Sequence, residues 1–203
     1  MRGKTARIDF RANTQNVSPA MVAATQKSTA TALSKRAEVV GEFGEERWQQ
    51  LRRAGHDLRL HALTHLDSYL AMTEERVTAA GGQVHWARDA EEVHRIVLDI
   101  AARNSVRTIV KAKSMVTEEI ELNHALEDRG IKVYETDLGE FIVQMAGQRP
   151  SHITAPALHM TKEEIADIFR EKLKVDAKPD PKLLTEIARK KLREEFLSAG
   201  MGI

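Results

Sequence analysis

The stretch Lys111–His159, KAKSMVTEEIELNHALEDRGIKVYETDLGEFIVQMAGQRPSHITAPALH, decides how this chain is read. Strand-like segments within it run into polar, charged loops: KAKS at 111–114, ETDLGE at 135–140 and HITAPALH at 152–159. Open α/β sheets hold their ligands in the crevice beyond the carboxyl ends of the strands. Lys, Ser, Glu, Asp and His therefore fall where such a sheet presents side chains to a ligand.

Outward from this stretch, strands alternate with helices. Thr108–Lys113 is predicted as a strand, followed by a helix to Arg129 that Gly130 closes. Ile131–Glu135 is the next strand, and Leu138, Phe141, Ile142 and Met145 sit at helical spacing. Ser151–Ala155 is a further strand stopped by Pro156. Upstream, Gln83–Ala87 reads as a short strand and Ala90–Arg103 as a helix with Val93, Ile96, Val97 and Ile100 on one face. Downstream, Thr161 and Glu164 form a capping box that opens a helix with Ile165, Ile168, Phe169 and Leu173 inward. Pro179 and Pro181 mark a break, and a last helix runs from about Lys182 to Ala199, stopped by Gly200. Alternation of this kind predicts parallel pairing with right-handed crossovers, an α/β fold.

The first 80 or so residues have a different texture. Residues 1–17 are polar and predict a loose arm. Ser18-Pro19 is a helix start, with a capping hydroxyl followed by a proline at the first helical position. Met21–Val40 reads as a helix broken by Gly41 and Gly44. A second helical region begins near Glu45, with Trp48, Leu51, Leu58, Ala62, Leu66 and Leu70 at turn spacing, a kink expected at Gly55 and a stop at Gly81-Gly82. The expected organisation is thus an arm over 1–17, a helical arm over 18–82 and an α/β region over 83–203.

Composition narrows the function classes. Net charge is +1, basic residues alternate with acids, and aromatics are 4%, so nothing favours nucleic acid. The sequence has no cysteine, which removes disulfides, thiolate catalysis and cysteine-held zinc or iron–sulfur clusters from its repertoire. The first residues lack the apolar core of a secretory signal, and no apolar run approaches membrane-spanning length. The cytoplasm is the expected compartment.

Several residues can carry chemistry. On the predicted strand Thr108–Lys113, Lys111 and Lys113 share a face with Ile109. Ser114 or Thr117 then caps the next helix, and together they suggest a cradle for a carboxylate or phosphate. A pair of edge lysines reaching water explains the same pattern. On that helix Glu119 and Asn123 fall inside the apolar stripe of Val116, Ile120, Leu122 and Leu126, so each needs a partner, and Lys111 or Lys113 suits Glu119. A structural buried ion pair fits equally well. Glu135, Asp137 and Glu140 gather around Gly139, as acid–base groups or simply as favourable charge at a helix start. No calcium-loop spacing is present, so no dedicated metal site is expected. His152 and His159 flank the last predicted strand, where each suits either proton transfer or a structural hydrogen bond. Walker A, GxGxxG and GxSxG motifs are all missing from the sequence.

The segments KAKSMVTEEIELNHAL, YETDLGEFIVQMAG, RPSHITAPALH and TKEEIADIF resemble the LutB-type lactate-utilisation proteins of the LUD-domain family. The resemblance covers almost the whole chain, including GGQVHWARDAEEV. It implies a sheet of the NagB, ribose-5-phosphate isomerase and CoA-transferase type. It also implies a place beside partner subunits in oxidising L-lactate to pyruvate, with electrons passing through iron–sulfur clusters. Family members continue beyond the point matching Ile203 into more of the sheet and a cysteine-rich module, so this chain is expected to correspond to the N-terminal half of the LUD domain. On that reading it holds no cofactor itself, the clusters being bound elsewhere. It would supply one wall of a ligand crevice from Lys111, Lys113, Ser114, Glu119, Asn123, Asp137, Gly139, Glu140, His152 and His159.

Two other expectations compete with this one. The chain could be a self-sufficient enzyme of the isomerase or CoA-transferase class, with Glu119 or Glu140 as base or nucleophile and Lys113 holding an anion. It could instead be a module that docks on partner subunits through its helical arm. An exposed sheet edge further predicts self-association.

Overall fold

A computed structural model describes residues 17–148 and 155–203. The chain divides into two compact units, one drawn from the described parts of Met1–Thr31 and Val106–Ile203 and the other from Ala32–Ser105. The architecture is α/β, with a helical N-terminal region and a small parallel sheet.

Helices α1 (Pro19–Phe43), α2 (Glu45–Thr64) and α3 (Leu66–Ala79) make up the N-terminal region. Ser18 Oγ accepts from Met21 N at 3.1 Å, as expected of a cap before proline. Gly41 does not break α1, which runs on to Phe43 and ends at Gly44, where φ is 74° and a side chain would be strained. Gly55 likewise lies inside a continuous α2. No residue of α1, α2 or α3 is buried. Helix α4 (Ala90–Arg103) has the predicted bounds, and Asp89 caps it by accepting from Glu92 N at 2.9 Å. The strand expected at Gln83–Ala87 is absent: this segment is irregular and mostly exposed, and no strand among the described residues pairs with its backbone. Trp86 Nε1 donates instead to Glu74 Oε1 at 3.0 Å.

The sheet lies in the other unit. Strand β1 (Thr108–Lys111) is central, β2 (Lys132–Glu135) pairs with one side and β3 (Met201–Gly202) with the other, both parallel. The chain leaves β1 for β2 through two short helices, α5 (Met115–Glu119) and α6 (Leu122–Glu127). It returns to the far side of β1 through α7 (Leu138–Met145), α8 (Lys162–Leu173) and α9 (Pro181–Ser198). Right-handed crossovers to opposite sides of one strand must run over opposite faces of the sheet. The side chains agree. Tyr134 packs toward the core of Phe141, Ile142, Ala166, Phe169, Leu184 and Ala188 on α7, α8 and α9, whereas its neighbour Glu135 faces Asn123 on α6. Each large apolar side chain buried in that core stabilises the fold by about 1.5–3 kcal/mol. The C-terminal end of β1 is therefore a point where connections diverge, the usual place for a crevice in such sheets.

Three further expectations need correction. The predicted helix over 114–129 is two helices, because Glu121 adopts a left-handed conformation at φ 53°. That bend lets Leu122 and Leu126 be buried while Val116 stays 67% exposed, so the four residues do not form one stripe. Strand β1 ends at Lys111 rather than Lys113. Beyond Gly200 the chain forms β3, which was not foreseen: Ile203 N donates to Val110 O at 2.9 Å and Gly200 N to Thr108 O at 3.0 Å. The strand expected at Ser151–Ala155 and the arm expected at 1–17 lie, but for Ala155 and Val17, outside the described residues. The helix over Leu138–Met145 and the Thr161–Glu164 capping box are both present as predicted. No described helix is long and apolar enough to cross a membrane.

Candidate functional site

The two parallel strands β1 and β2 end in a charged pair. Lys111 and Glu135 are opposite each other in the register, so their side chains leave the sheet on the same face. Lys111 is fully buried and Glu135 is 5% exposed. Charges so far from water require close partners. Lys111 Nζ donates to Glu135 Oε1 at 2.8 Å and to Thr117 Oγ1 at 3.0 Å. Glu135 Oε1 also accepts from Asn123 Nδ2 at 2.8 Å, which fixes the amide with its oxygen pointing elsewhere.

Local structure holds the donors in place. Ser114 caps α5 by accepting from Thr117 N at 3.3 Å, and the Thr117 hydroxyl donates to Ser114 O at 3.0 Å. Thr117 is thereby turned so that its oxygen accepts from Lys111. On α7, Asp137 Oδ1 accepts from Gly139 N at 3.0 Å and Glu140 N at 3.2 Å, an N-cap of the usual kind. Gly139 sits close to its surroundings: a Cβ there would lie 3.3 Å from both Asp137 Oδ1 and Pro156 Cβ. One turn on from Glu140, the Gln144 amide bridges two backbone groups of β2. Its Nε2 donates to Val133 O at 2.7 Å and its Oε1 accepts from Glu135 N at 3.1 Å.

Glu140 is the third charged group at the strand ends, 2% exposed and 3.4 Å from Lys113 Nζ through Oε1. Burial pushes its carboxyl above the usual carboxylate range, and the charges of Glu118 and Glu135 push it further, against the opposing Lys113 ammonium. Lys113 itself stands just beyond β1 and is 39% exposed. A carboxyl whose proton affinity is raised in this way, beside an ammonium, is suited to proton transfer.

These groups border a cavity of about 630 Å³, within the size range of small-molecule sites. Thr117, Glu118, Asn123, Glu135, Glu140 and Gln144 are among its walls. Two buried acceptors on it, Glu135 Oε2 and Asn123 Oδ1, have no hydrogen-bond partner among the described residues. No group of three or more His, Asp or Glu among the described residues converges to hold a metal ion.

Of the residues predicted from sequence, Lys111, Lys113, Ser114, Asn123 and Glu140 gather at the ends of β1 and β2. Glu119 lines the cavity but is exposed, and neither lysine pairs with it; Lys111 takes Glu135 and Lys113 takes Glu140. Asp137 and Gly139 shape the start of α7. His159 is half-buried with Nε2 2.7 Å from Gln148 Oε1, a residue of the cavity wall. His152 lies outside the described residues. The predicted wall omitted Glu135, Thr117, Glu118 and Gln144. The signal for Glu135 was available: it closes its strand as Lys111 closes the preceding one, and adjacent parallel strands bring such residues together.

The LUD domain family matches residues 70–203, more than half of the chain. The chain belongs to the LUD-domain family. Similar to this LUD chain are proteins called lactate utilization protein B from Bacillus thuringiensis (strain Al Hakam), Bacillus cereus (strain AH187) and Bacillus anthracis (strain CDC 684). Each is 43% identical over 170 residues, covering 84% of the LUD chain and 36% of the relative. The chain thus spans little more than a third of the length of these relatives. No solved structure matches it.

Proposed function

We propose that this chain is the LUD-domain part of a lactate-utilisation protein and that it serves the oxidation of L-lactate to pyruvate as a binding and assembly unit. The similarity to lactate utilization protein B over 84% of the chain carries the reading. The LUD-domain match over residues 70–203 supports it. Electron transfer through iron–sulfur clusters belongs to this proposal only for protein outside the chain. Its 203 residues contain no cysteine and its described residues no metal-ligand cluster, so these side chains do not fit such a group.

The test is a replacement. The segment of the Bacillus cereus relative that matches this chain is exchanged for it, in a strain deleted for that relative, and growth is scored on L-lactate as sole carbon source. Growth restored above the deletion strain is expected. A hybrid protein that accumulates to the normal level without restoring growth would sink the proposal.

One observation favours a second reading, an acid–base enzyme in its own right. Glu140 is a buried carboxyl with a raised proton affinity on the wall of a cavity, next to an ammonium. On that reading Glu140 is the proton-transferring group and Lys113 tunes it.

A further inference from the structure

The cavity at the strand ends differs in charge from the anion cradle expected from the two lysines. Six of its lining residues are glutamates: Glu118, Glu119, Glu121, Glu127, Glu135 and Glu140. Among the described residues no lysine or arginine lines it, and His124, 3.9 Å from Glu127, is the one histidine of the described lining. Lys111 lies behind this wall with its ammonium committed to Glu135 and Thr117, and Lys113 is paired with Glu140. A free carboxylate or phosphate entering here would meet several like charges and find its two prospective cations already engaged.

Acidity alone does not make a site, but the hydrogen-bond inventory adds an independent sign. Glu135 is 5% exposed, and among the described residues only one of its carboxylate oxygens has a partner. Its Oε2 and the neighbouring Asn123 Oδ1 are buried on the cavity wall without a partner among the described residues. Both are acceptors. The amide cannot turn to relieve this, because its nitrogen already donates to Glu135 Oε1. Buried polar groups left in this state cost about 1–3 kcal/mol each, and a ligand that brings N–H donors recovers that cost. A metal ion is a poor match, since no three ligands converge on one point among the described residues.

We infer that this cavity binds a small organic cation whose ammonium or guanidinium head donates to Glu135 Oε2 and Asn123 Oδ1, with Glu118 on the wall adding charge. Several N–H donors on one positive group meet the paired acceptors and the surrounding carboxylates together. The inference does not depend on the role in lactate use, which is scored by growth rather than by binding.

Calorimetric titration of the full chain with agmatine, which carries both head groups, tests it. Saturable one-to-one binding is expected. Glu135→Gln should weaken it by about tenfold or more, the loss of one charge-assisted hydrogen bond, and Glu118→Gln by roughly threefold, the loss of a nearby charge. Glu135→Gln disturbs a buried ion pair, so circular dichroism must show that it folds; if it does not, Glu118→Gln decides the matter. Parallel titrations use L-lactate, inorganic phosphate, Mg²⁺ and an acetyl-Gly-Arg-Gly amide peptide. No binding of agmatine at millimolar concentration overturns the inference, as does equal affinity in the Glu118→Gln chain. Tighter binding of either anion or of Mg²⁺ also overturns it. Binding of the peptide without agmatine overturns the assignment to a small molecule.

Discussion

Replacing Lys111 by methionine is the most direct perturbation of the network at the strand ends. Methionine is unbranched and close to lysine in length, so the change removes the ammonium while leaving little space. Glu135, 5% exposed, then keeps Asn123 as its one side-chain donor among the described residues, and Thr117 Oγ1 loses the Lys111 ammonium. Stranding one member of a buried ion pair costs about 3–5 kcal/mol. For a chain of this length roughly 2–4 °C of melting temperature is lost per kcal/mol, so Tm should fall by about 10 °C. Lys111→Met combined with Glu135→Gln removes both charges and keeps an acceptor for Asn123, and should recover about 2 kcal/mol or more. Urea unfolding followed by circular dichroism, on the parent, both single variants and the double variant, gives the coupling energy. A Lys111→Met chain within about 1 kcal/mol of the parent would refute the reasoning. So would a double variant no more stable than Lys111→Met.

Substitutions at two further positions probe neighbouring features. The raised proton affinity of Glu140 means that the native chain binds this proton more tightly than the unfolded chain does. Its contribution is therefore fully present below the ordinary glutamate range and is lost as pH rises through the folded value. Glu140→Gln should flatten the decline in stability as pH rises above the ordinary glutamate range and leave the chain more stable than the parent at pH 7. Chemical unfolding across pH 4.5–8 checks this, and an unchanged pH slope counts against it. At Glu121, held at φ 53°, Gly should be tolerated and Val should not, with a difference of at least about 1 kcal/mol between the two in thermal unfolding. Equal melting temperatures would mean that the left-handed bend between α5 and α6 is not what the chain adopts.

Where the controlling contacts are local, the sequence was enough. The spacing of Leu138, Phe141, Ile142 and Met145 marks both ends of α7, and Asp137 caps it by its own side chain. The same holds for Asp89 ahead of α4 and for the Thr161–Glu164 box. Gln83–Ala87 failed as a strand because alternation says nothing about whether a partner strand is within reach. Strand β3 was hidden for the converse reason: a few residues after a helix become a strand only because β1 lies beside them. In the site, Lys111 and Lys113 stood out by residue type. Their true partners, Glu135 and Glu140, depend on strand register and on where α7 begins. Drawing the 114–129 helix straight turned Glu119 inward, and the left-handed Glu121 is a tertiary outcome that propensity does not announce.

The Gln144 side chain has a consequence for how this sheet can grow. Its donor and acceptor engage Val133 O and Glu135 N in the pattern that one residue of an adjacent parallel strand would use opposite Tyr134. It is an internal competitor, tethered to its target and so present at a high effective concentration. Any strand added at that edge, from a second copy or from another protein, binds only as well as it displaces Gln144. Assembly through β2 is therefore an exchange reaction, its cost set by a single side chain rotating away.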